Sequence, residues 1–492
     1  MMPWWAVAVL VLGANFALWG AIGLVRLAET GTLQRWPLRW WSARGRRPVA
    51  TGPDRPPGQI LAGQDPQRPL TVDDVAVLIP AHNEALVIEA SLRSIMALVP
   101  PQNVHVVSDG STDATVEIAR QTGAHVIETS ENLGKAGALE EAIGRFGLIR
   151  RFPVVMLLDA DTRVQPGYFD AALPLLRNPE VVAVAGCVRT ALDRKLTLRG
   201  KILVGHRTRI YAVGQRALKF GQTYLRSNAT PIVPGFASLY RTRVLPRMDM
   251  NPPGLVIEDF NMTFEVYQKR LGKVGFTLRA VAVTQDPDNF RDYFRQTKRW
   301  AVGLWQTVRR HPPRANLFTA MLALLLLELI TSSVLFVLLP LVLLVLVVPD
   351  LASGVPAWPW FAEVYHAVST HVKPVTVLFG VVVPDYLLTC TVALIERRPR
   401  LLLLGVFFPF LRIVDAMIAL YAVPAAWLSR SSGRWKSPTR RAAVGPGPPA
   451  PPAPARPASH AAVGTRVRAA LSDAMTTSQP ASMTQPNGRI LE

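Results

Sequence analysis

Four long apolar runs constrain this chain most, because a backbone placed in lipid must satisfy its own polar groups, which an α-helix does within one segment. They lie at residues 4–25, 317–348, 374–395 and 401–428. A bilayer core needs about 20 helical residues, and each run approaches or exceeds that length. The first is apolar apart from Asn15, and Arg26, Arg35, Arg39, Arg44, Arg46 and Arg47 all follow it. A cleaved signal peptide would carry its positive charge before the apolar run, so residues 1–28 read as a retained transmembrane helix with a cytosolic basic flank. Arg309, Arg310, Arg314, Arg397, Arg398 and Arg400 likewise place residues 71–312 and the loop 396–400 in the cytosol, with residues 349–373 outside. The last run holds Arg412 and Asp415, and a fourth full crossing would carry the basic stretch 430–441 outward. Residues 313–430 are therefore expected to be transmembrane or interfacial helices, the last spanning, lining a polar cavity or lying along the surface. The expected location is the cell membrane, multi-pass, with the intervening domain cytosolic.

Composition agrees with a membrane protein: 50% of the 492 residues are hydrophobic and 18% charged. The net charge of +20 is concentrated beside apolar runs and in linkers, which favours anionic lipid headgroups over nucleic acid as its partner. Cys187 and Cys390, one in a predicted soluble segment and one in an apolar run, offer neither a disulfide framework nor metal-ligand spacing, and read as reduced, structural thiols. Residues 29–70, basic and then Pro-rich, read as a linker; residues 431–492, basic and then rich in Pro and Ala, read as a disordered tail.

Between the membrane segments, short apolar stretches at 75–79, 104–108, 125–127, 154–158 and 181–185 alternate with amphipathic stretches at 86–98, 113–122, 136–147 and 168–176. That alternation predicts an α/β fold with a mainly parallel sheet, whose ligands bind at the carboxyl ends of the strands. Residues 190–310 are less periodic, mix basic and aromatic residues, and are expected to form the acceptor half of the same domain.

The predicted strands end in polar residues. The first runs into Pro80-Ala81-His82-Asn83-Glu84 and the second into Ser108-Asp109-Gly110-Ser111-Thr112-Asp113, both also ordinary turn and helix-cap sequences. The fourth runs into Asp159-Ala160-Asp161, two carboxylates beyond a buried strand, as a hard divalent cation wants when a diphosphate supplies its other ligands. Lys135, in Asn132-Leu133-Gly134-Lys135-Ala136-Gly137, sits at a helix start where it can hold a phosphate or merely be solvated; without Gly-Lys-Ser/Thr this is no Walker loop. Glu258-Asp259 begins another helix. Acids there are favourable dipole partners, but attack by a sugar hydroxyl also requires a carboxylate base, for which Asp259 is the candidate. In Gln296-Thr297-Lys298-Arg299-Trp300, Arg299 can meet a diphosphate as a forked donor. Trp300 can stack on a sugar ring or belong to an interfacial belt, the role expected of Trp305.

Together Ala81-His82-Asn83-Glu84, Asp109 to Asp113, Asp159-Ala160-Asp161, Glu258-Asp259 and Gln296-Thr297-Lys298-Arg299-Trp300 resemble the processive family 2 glycosyltransferases, which include cellulose, hyaluronan and poly-N-acetylglucosamine synthases. The resemblance covers residues 70–310 and the flanking helices. It implies a GT-A type nucleotide-sugar-binding domain flanked by transmembrane helices, a UDP-sugar donor, Mg2+ or Mn2+, and an inverting reaction giving a β-linked polysaccharide exported through the enzyme's own helices. It further implies Ala81, Glu84 and Asp109 on the nucleotide, Asp159 and Asp161 on diphosphate and metal, and Lys135 and Arg299 near the diphosphate. Asp259 would be the base, and Glu258, Gln296 and Trp300 would lie at the acceptor, with residues 234–241 as the loop beneath it. The growing polysaccharide and accessory export or synthase subunits are the implied partners. Ile257 stands where cellulose synthases usually have Thr, and the spacing over 186–243 leans toward the poly-N-acetylglucosamine synthases; the tail leaves no room for a cyclic-nucleotide sensor. A non-processive transferase with a lipid acceptor is the alternative. A catalytically silent scaffold would be expected to have lost a carboxylate at 159, 161 or 259, and all three are present.

Overall fold

The N-terminal apolar run is broken. In the computed structural model, which describes residues 3–29, 68–192, 196–351 and 358–428, helix α1 (Trp4–Leu12) and helix α2 (Ala14–Glu29) meet at 68° instead of forming one straight span. Gly13 between them has φ 88°, and a Cβ there would lie 2.8 Å from a carboxylate oxygen of Glu328. That carboxylate accepts from the Asn15 amide N–H and side-chain Nδ2, both at 2.8 Å, so it caps the start of α2. The expected linker falls almost wholly, and the tail wholly, outside the described residues.

Eight strands form one sheet in the order β3-β2-β1-β4-β7-β6-β8-β5. Strand β1 (Val75–Ala81) pairs in parallel with β2 (Val104–Ser108) and β4 (Val154–Leu158), and β2 with β3 (His125–Glu128). Strand β7 (Ala237–Arg241) runs antiparallel between β4 and β6 (Val181–Thr190), while β8 (Lys273–Thr284) is parallel to β6 and antiparallel to β5 (Arg163–Val164). The mainly parallel α/β expectation is met. The fifth predicted strand continues five residues past Ala185, and the less periodic 190–310 segment supplies two more strands.

Alternation along the strands sets the two faces. Val75, Val77 and Ile79 pack on Ile88, Leu92 and Ile95 of helix α3 (Ile88–Met96). Ala76 and Leu78 turn the other way, onto Ala138, Leu139 and Ala142 of helix α5 (Gly134–Arg145); helix α4 (Thr115–Gln121) joins β2 to β3. Further on come α6 (Leu198–Val213), α7 (Glu258–Gln268) and α8 (Phe290–Arg310). At Gly186 a Cβ would stand 2.1 Å from the Ala237 carbonyl, so only glycine allows β6 and β7 to approach so closely there.

The apolar helices follow: α9 (Leu317–Leu351), α10 (Val383–Ile395) and α11 (Phe408–Leu428). Among the described residues, three helical stretches are long and apolar enough to cross a membrane: Leu317–Pro349, Pro374–Ile395 and Arg400–Leu428; the bent α1–α2 pair makes a fourth if it is one span. Three of the charges inside these segments, Asp385, Arg412 and Asp415, have partners. Asp385 of α10 binds Arg209 of α6 and Arg412 of α11, both at 2.7 Å, and Asp415 accepts from the Tyr293 hydroxyl at 2.7 Å with His206 Nε2 at 3.0 Å.

Helix α2 is also tied to the sheet domain. Arg26 donates to the carbonyls of Phe220 (2.6 Å) and Phe276 (2.9 Å), and a Cβ on Gly221 would stand 2.1 Å from the Trp19 carbonyl. Gly221→Ala is therefore expected to push α2 away from the Phe220–Gln222 turn and cost about 1–3 kcal/mol as an overpacked contact, read as a lower unfolding temperature in detergent.

Candidate functional site

The carboxyl ends of β1, β2 and β4 lie side by side, and the polar residues that follow them interlock. The Ala81 carbonyl accepts from the Asp109 amide at 2.8 Å, and His82 Nδ1 lies 2.6 Å from the Asp109 carbonyl oxygen. Asn83, in the left-handed region at φ 55°, accepts from the Thr112 amide at 2.8 Å. Glu84 is buried, its amide donating to Thr115 at 2.8 Å. Asp109 is buried as well, and its Oδ1 accepts from Leu133 N–H at 2.8 Å and Thr129 Oγ1 at 3.0 Å. Burial pushes the Asp109 carboxyl up against those hydrogen bonds, which oppose the shift.

Lys135 gathers the remaining carboxylates. From the first turn of α5 its Nζ reaches Asp159 Oδ1 and Glu258 Oε1, each at 2.8 Å, joining the end of β4 to the start of α7. Gly235 makes room, since a Cβ there would stand 3.0 Å from that Nζ and 3.3 Å from Glu258 Oε1. Thus, of the 234–241 stretch read from sequence as a loop beneath the acceptor, Gly235 lies directly against the charged cluster, while residues 237–241 are strand β7 and not loop. Burial disfavours the charged Lys135, but the two carboxylates outweigh it and hold the ammonium firmly protonated. Burial would raise Glu258; Lys135, aided by Arg299, overcomes it and keeps this carboxyl below its ordinary range.

Asp259 differs from its neighbour. Among the described residues no cation pairs with it; the Gly235 amide donates to Oδ2 at 3.3 Å and the Phe260 amide to Oδ1 at 2.9 Å. Burial, reinforced by the adjacent Glu258 charge, pushes it up to about 7. Two adjacent carboxyls thus hold different affinities for a proton, an arrangement suited to proton transfer near neutral pH.

Asp161 accepts from Thr162 (3.3 Å) and Thr284 (3.4 Å). Among the described residues no three His, Cys, Asp or Glu side chains gather as a metal cage. Asp159 and Asp161 are hard oxygen donors, so they fit a divalent cation that draws its other ligands from a diphosphate and water, and do not fit an all-protein site.

Gln296, Arg299 and Trp300 lie together on α8. This helix joins the acidic pair to the apolar helices: Gln306 Oε1 accepts from Val256 N–H at 3.1 Å, Gly303 packs on Ile257, and Lys298 donates to the Tyr421 hydroxyl of α11 at 3.0 Å. Trp305 is not an interfacial belt residue. It is 7% exposed and packs near Trp427, with ring centroids 6.2 Å apart.

Sequence reading missed Arg207, whose guanidinium lies 4.6 Å from the Trp300 ring centroid and donates to Thr297 at 2.6 Å and Gln296 at 3.3 Å. It also missed Asp286, which accepts from the Tyr211 hydroxyl at 2.7 Å. Neither residue lies in a recognisable motif, and nothing local in the sequence marks them.

The sequence profile described as "Glycosyltransferase like family 2" matches residues 73–303. Among curated proteins, the probable glycosyltransferase YdaM of Bacillus subtilis is 28% identical, the match covering 46% of this chain and 54% of that one. The dolichyl-phosphate hexose transferase of Haloferax volcanii is 36% identical over 22% of this chain and 45% of its own. The chain thus spans about half the length of these two relatives. Among solved structures, the mannosyltransferase PcManGT from Pyrobaculum calidifontis, in complex with GDP-Man and Mn2+, is similar at a TM-score of 0.46 and 19% identity, covering 82% of this chain and 99% of that one. With the strand order and the carboxylates at the strand ends, the profile match makes residues 73–303 a family 2 glycosyltransferase domain with a GT-A fold.

Proposed function

We propose that this chain is a membrane-embedded inverting glycosyltransferase that adds N-acetylglucosamine or glucose from a UDP-sugar to a growing β-linked polysaccharide, which leaves through its apolar helices. The observation that carries this reading is α8. One helix bears Gln296, Arg299 and Trp300, bonds to the segment entering Glu258-Asp259, and meets α11, so an acceptor held on it lies between the carboxylates and the membrane helices.

In this mechanism Ala81, Glu84 and Asp109 hold the nucleotide, and Lys135 and Arg299 hold the diphosphate. Asp159 and Asp161 hold Mg2+ or Mn2+, which when bound neutralises charge on the departing diphosphate. Asp259 takes the proton from the acceptor hydroxyl; that oxygen forms a bond to the anomeric carbon as the bond from carbon to diphosphate breaks, and UDP leaves. Trp300 supplies a flat face for the acceptor sugar, with Gln296 beside it.

The elevated Asp259 fixes the pH dependence. The base acts only when ionised, so kcat/KM should rise with pH through about 7 and level off above it, and the limb should be absent in Asp259→Asn. Single-sugar transfer to a lipid phosphate is a second reading, supported by the likeness to the dolichyl-phosphate hexose transferase.

The test is label transfer from UDP-N-acetylglucosamine and, separately, UDP-glucose by membranes containing the protein, with Mg2+ or EDTA. Transfer lost in EDTA and restored by excess Mn2+ is expected. Transfer indifferent to EDTA would remove the cation from this mechanism.

A further inference from the structure

The Arg207 side chain is 2% exposed, and it faces two aromatic rings, Trp300 at 4.6 Å and Tyr293 at 4.4 Å from its guanidinium carbon. Its Nη2 donates to Thr297 Oγ1 and Gln296 Oε1, so one guanidinium touches three residues of the five-residue stretch beginning at Gln296. Its Nε is buried with no hydrogen-bond partner among the described residues. A buried, unsatisfied donor is costly, and a nearby sugar hydroxyl would relieve that cost. Arg207 therefore anchors the stretch 296–300 from α6, an element that carries none of the sequence motifs.

We infer that Arg207 is a positioning residue for the acceptor: it fixes the indole face of Trp300 and the side-chain amide of Gln296 where the terminal sugar is held. The inference rests on the reading of Trp300 as the acceptor platform. A lysine cannot replace it fully, because a single ammonium lacks the planar fork that donates in one direction while stacking in another. Without Arg207 the indole and amide lose their common anchor, the acceptor hydroxyl strays from the donor carbon, and the bound donor reacts with water instead.

The test measures two rates on the full-length protein in nanodiscs with UDP-sugar and Mg2+: sugar transfer to the acceptor, and hydrolysis of the donor to free sugar. In Arg207→Gln the ratio of transfer to hydrolysis should fall by about 10- to 100-fold, as displacement of an acceptor by a fraction of an ångström to 1 Å would cause, with donor KM unchanged. Arg207→Lys should recover part of the ratio. If both rates fall in parallel, or the ratio stays at the wild-type value, the positioning role is overturned. Should Arg207→Gln fail to fold, Thr297→Val removes the same hydrogen bond from the other side and must lower the ratio in the same direction. If the wild type makes only a single-sugar lipid, polymer synthesis is refuted, while the same ratio measured on that lipid still decides the role of Arg207.

Discussion

Asp259→Asn is expected to retain the fold and lower sugar transfer by a factor on the order of 10² to 10⁴, the contribution of a positioned general base. Asn keeps the shape and its single oxygen can still accept from the Phe260 amide, the shorter contact at 2.9 Å, while its NH2 replaces the oxygen that accepts from the Gly235 amide at 3.3 Å, so only the longer hydrogen bond is lost. What disappears is the proton acceptor. The sign of the stability change separates chemistry from damage. The folded-state pKa of Asp259 is raised from 3.8 to about 7, so folding favours its protonated form. That contribution is complete below the unfolded value and is lost as pH rises through the folded one. A neutral amide escapes the loss, which offsets the missing Gly235 hydrogen bond, so at pH 8 the variant should be close to the wild type in stability while nearly inactive. Donor binding, followed by calorimetric titration with UDP, should be little altered. A variant that melts early would assign Asp259 a structural role instead.

The second large effect is expected at Lys135. Removing its ammonium in Lys135→Ala leaves Asp159 and Glu258 without the cation they share. Breaking a buried pair from one side costs more than the pair itself contributes, because the partner charge is stranded. The Lys135 and Asp159 side chains retain 21% and 33% exposure, so water screens part of the penalty, and the stability loss should be about 1–3 kcal/mol at neutral pH. Glu258 is held low in the wild type, so the stability it contributes is present above its unfolded value and lost as pH falls through the folded one. The difference between variant and wild type should therefore shrink on acidification, which denaturant titrations at pH 7.5 and at pH 4 would read. Activity should fall further than stability, since Lys135 is also the proposed diphosphate contact. Full activity in the alanine variant would leave Lys135 as a purely structural cation.

The half of the sheet that runs from its β3 edge to β4 was legible because short apolar parallel strands announce themselves. β2 and β4 have the predicted bounds, and β1 and β3 differ only at their ends, because a short Val- and Ile-rich stretch stopped by a polar turn has few other ways to fold. β8 escaped notice because its inner and outer positions interrupt one another: Gly275, Thr277 and Arg279 fall within a strand buried only in part. Its register with β6 also shifts at bulges, which obscures any regular alternation. The break at Gly13 was illegible for another reason. A glycine inside an apolar run is unremarkable in a membrane helix, and the carboxylate that caps the second half comes from Glu328, 313 residues beyond Asn15.

The site shows the same division. Each motif was visible locally, yet the contact that unites them, Lys135 bridging Asp159 and Glu258, joins three separate segments and depends on Gly235 leaving space. Sequence order could bring the carboxylates to one edge of a sheet, but not say which would be paired. That pairing makes Glu258 and Asp259 chemically unequal. Arg207 was missed because its partners are α8 side chains some 90 residues away, at Gln296 and Thr297.

The central claim, repeated addition by one membrane-embedded active site, is tested most directly by the size of the product. Membranes containing the protein would be supplied with radiolabelled UDP-N-acetylglucosamine or UDP-glucose and Mg2+, and the labelled material separated by gel filtration after lipid extraction. The expected result is label in a high-molecular-weight fraction that resists lipid extraction and is cut down by a hydrolase specific for the β-linked polymer of the donor sugar. Label confined to an extractable lipid carrying one sugar would contradict it and install the lipid-acceptor reading in its place.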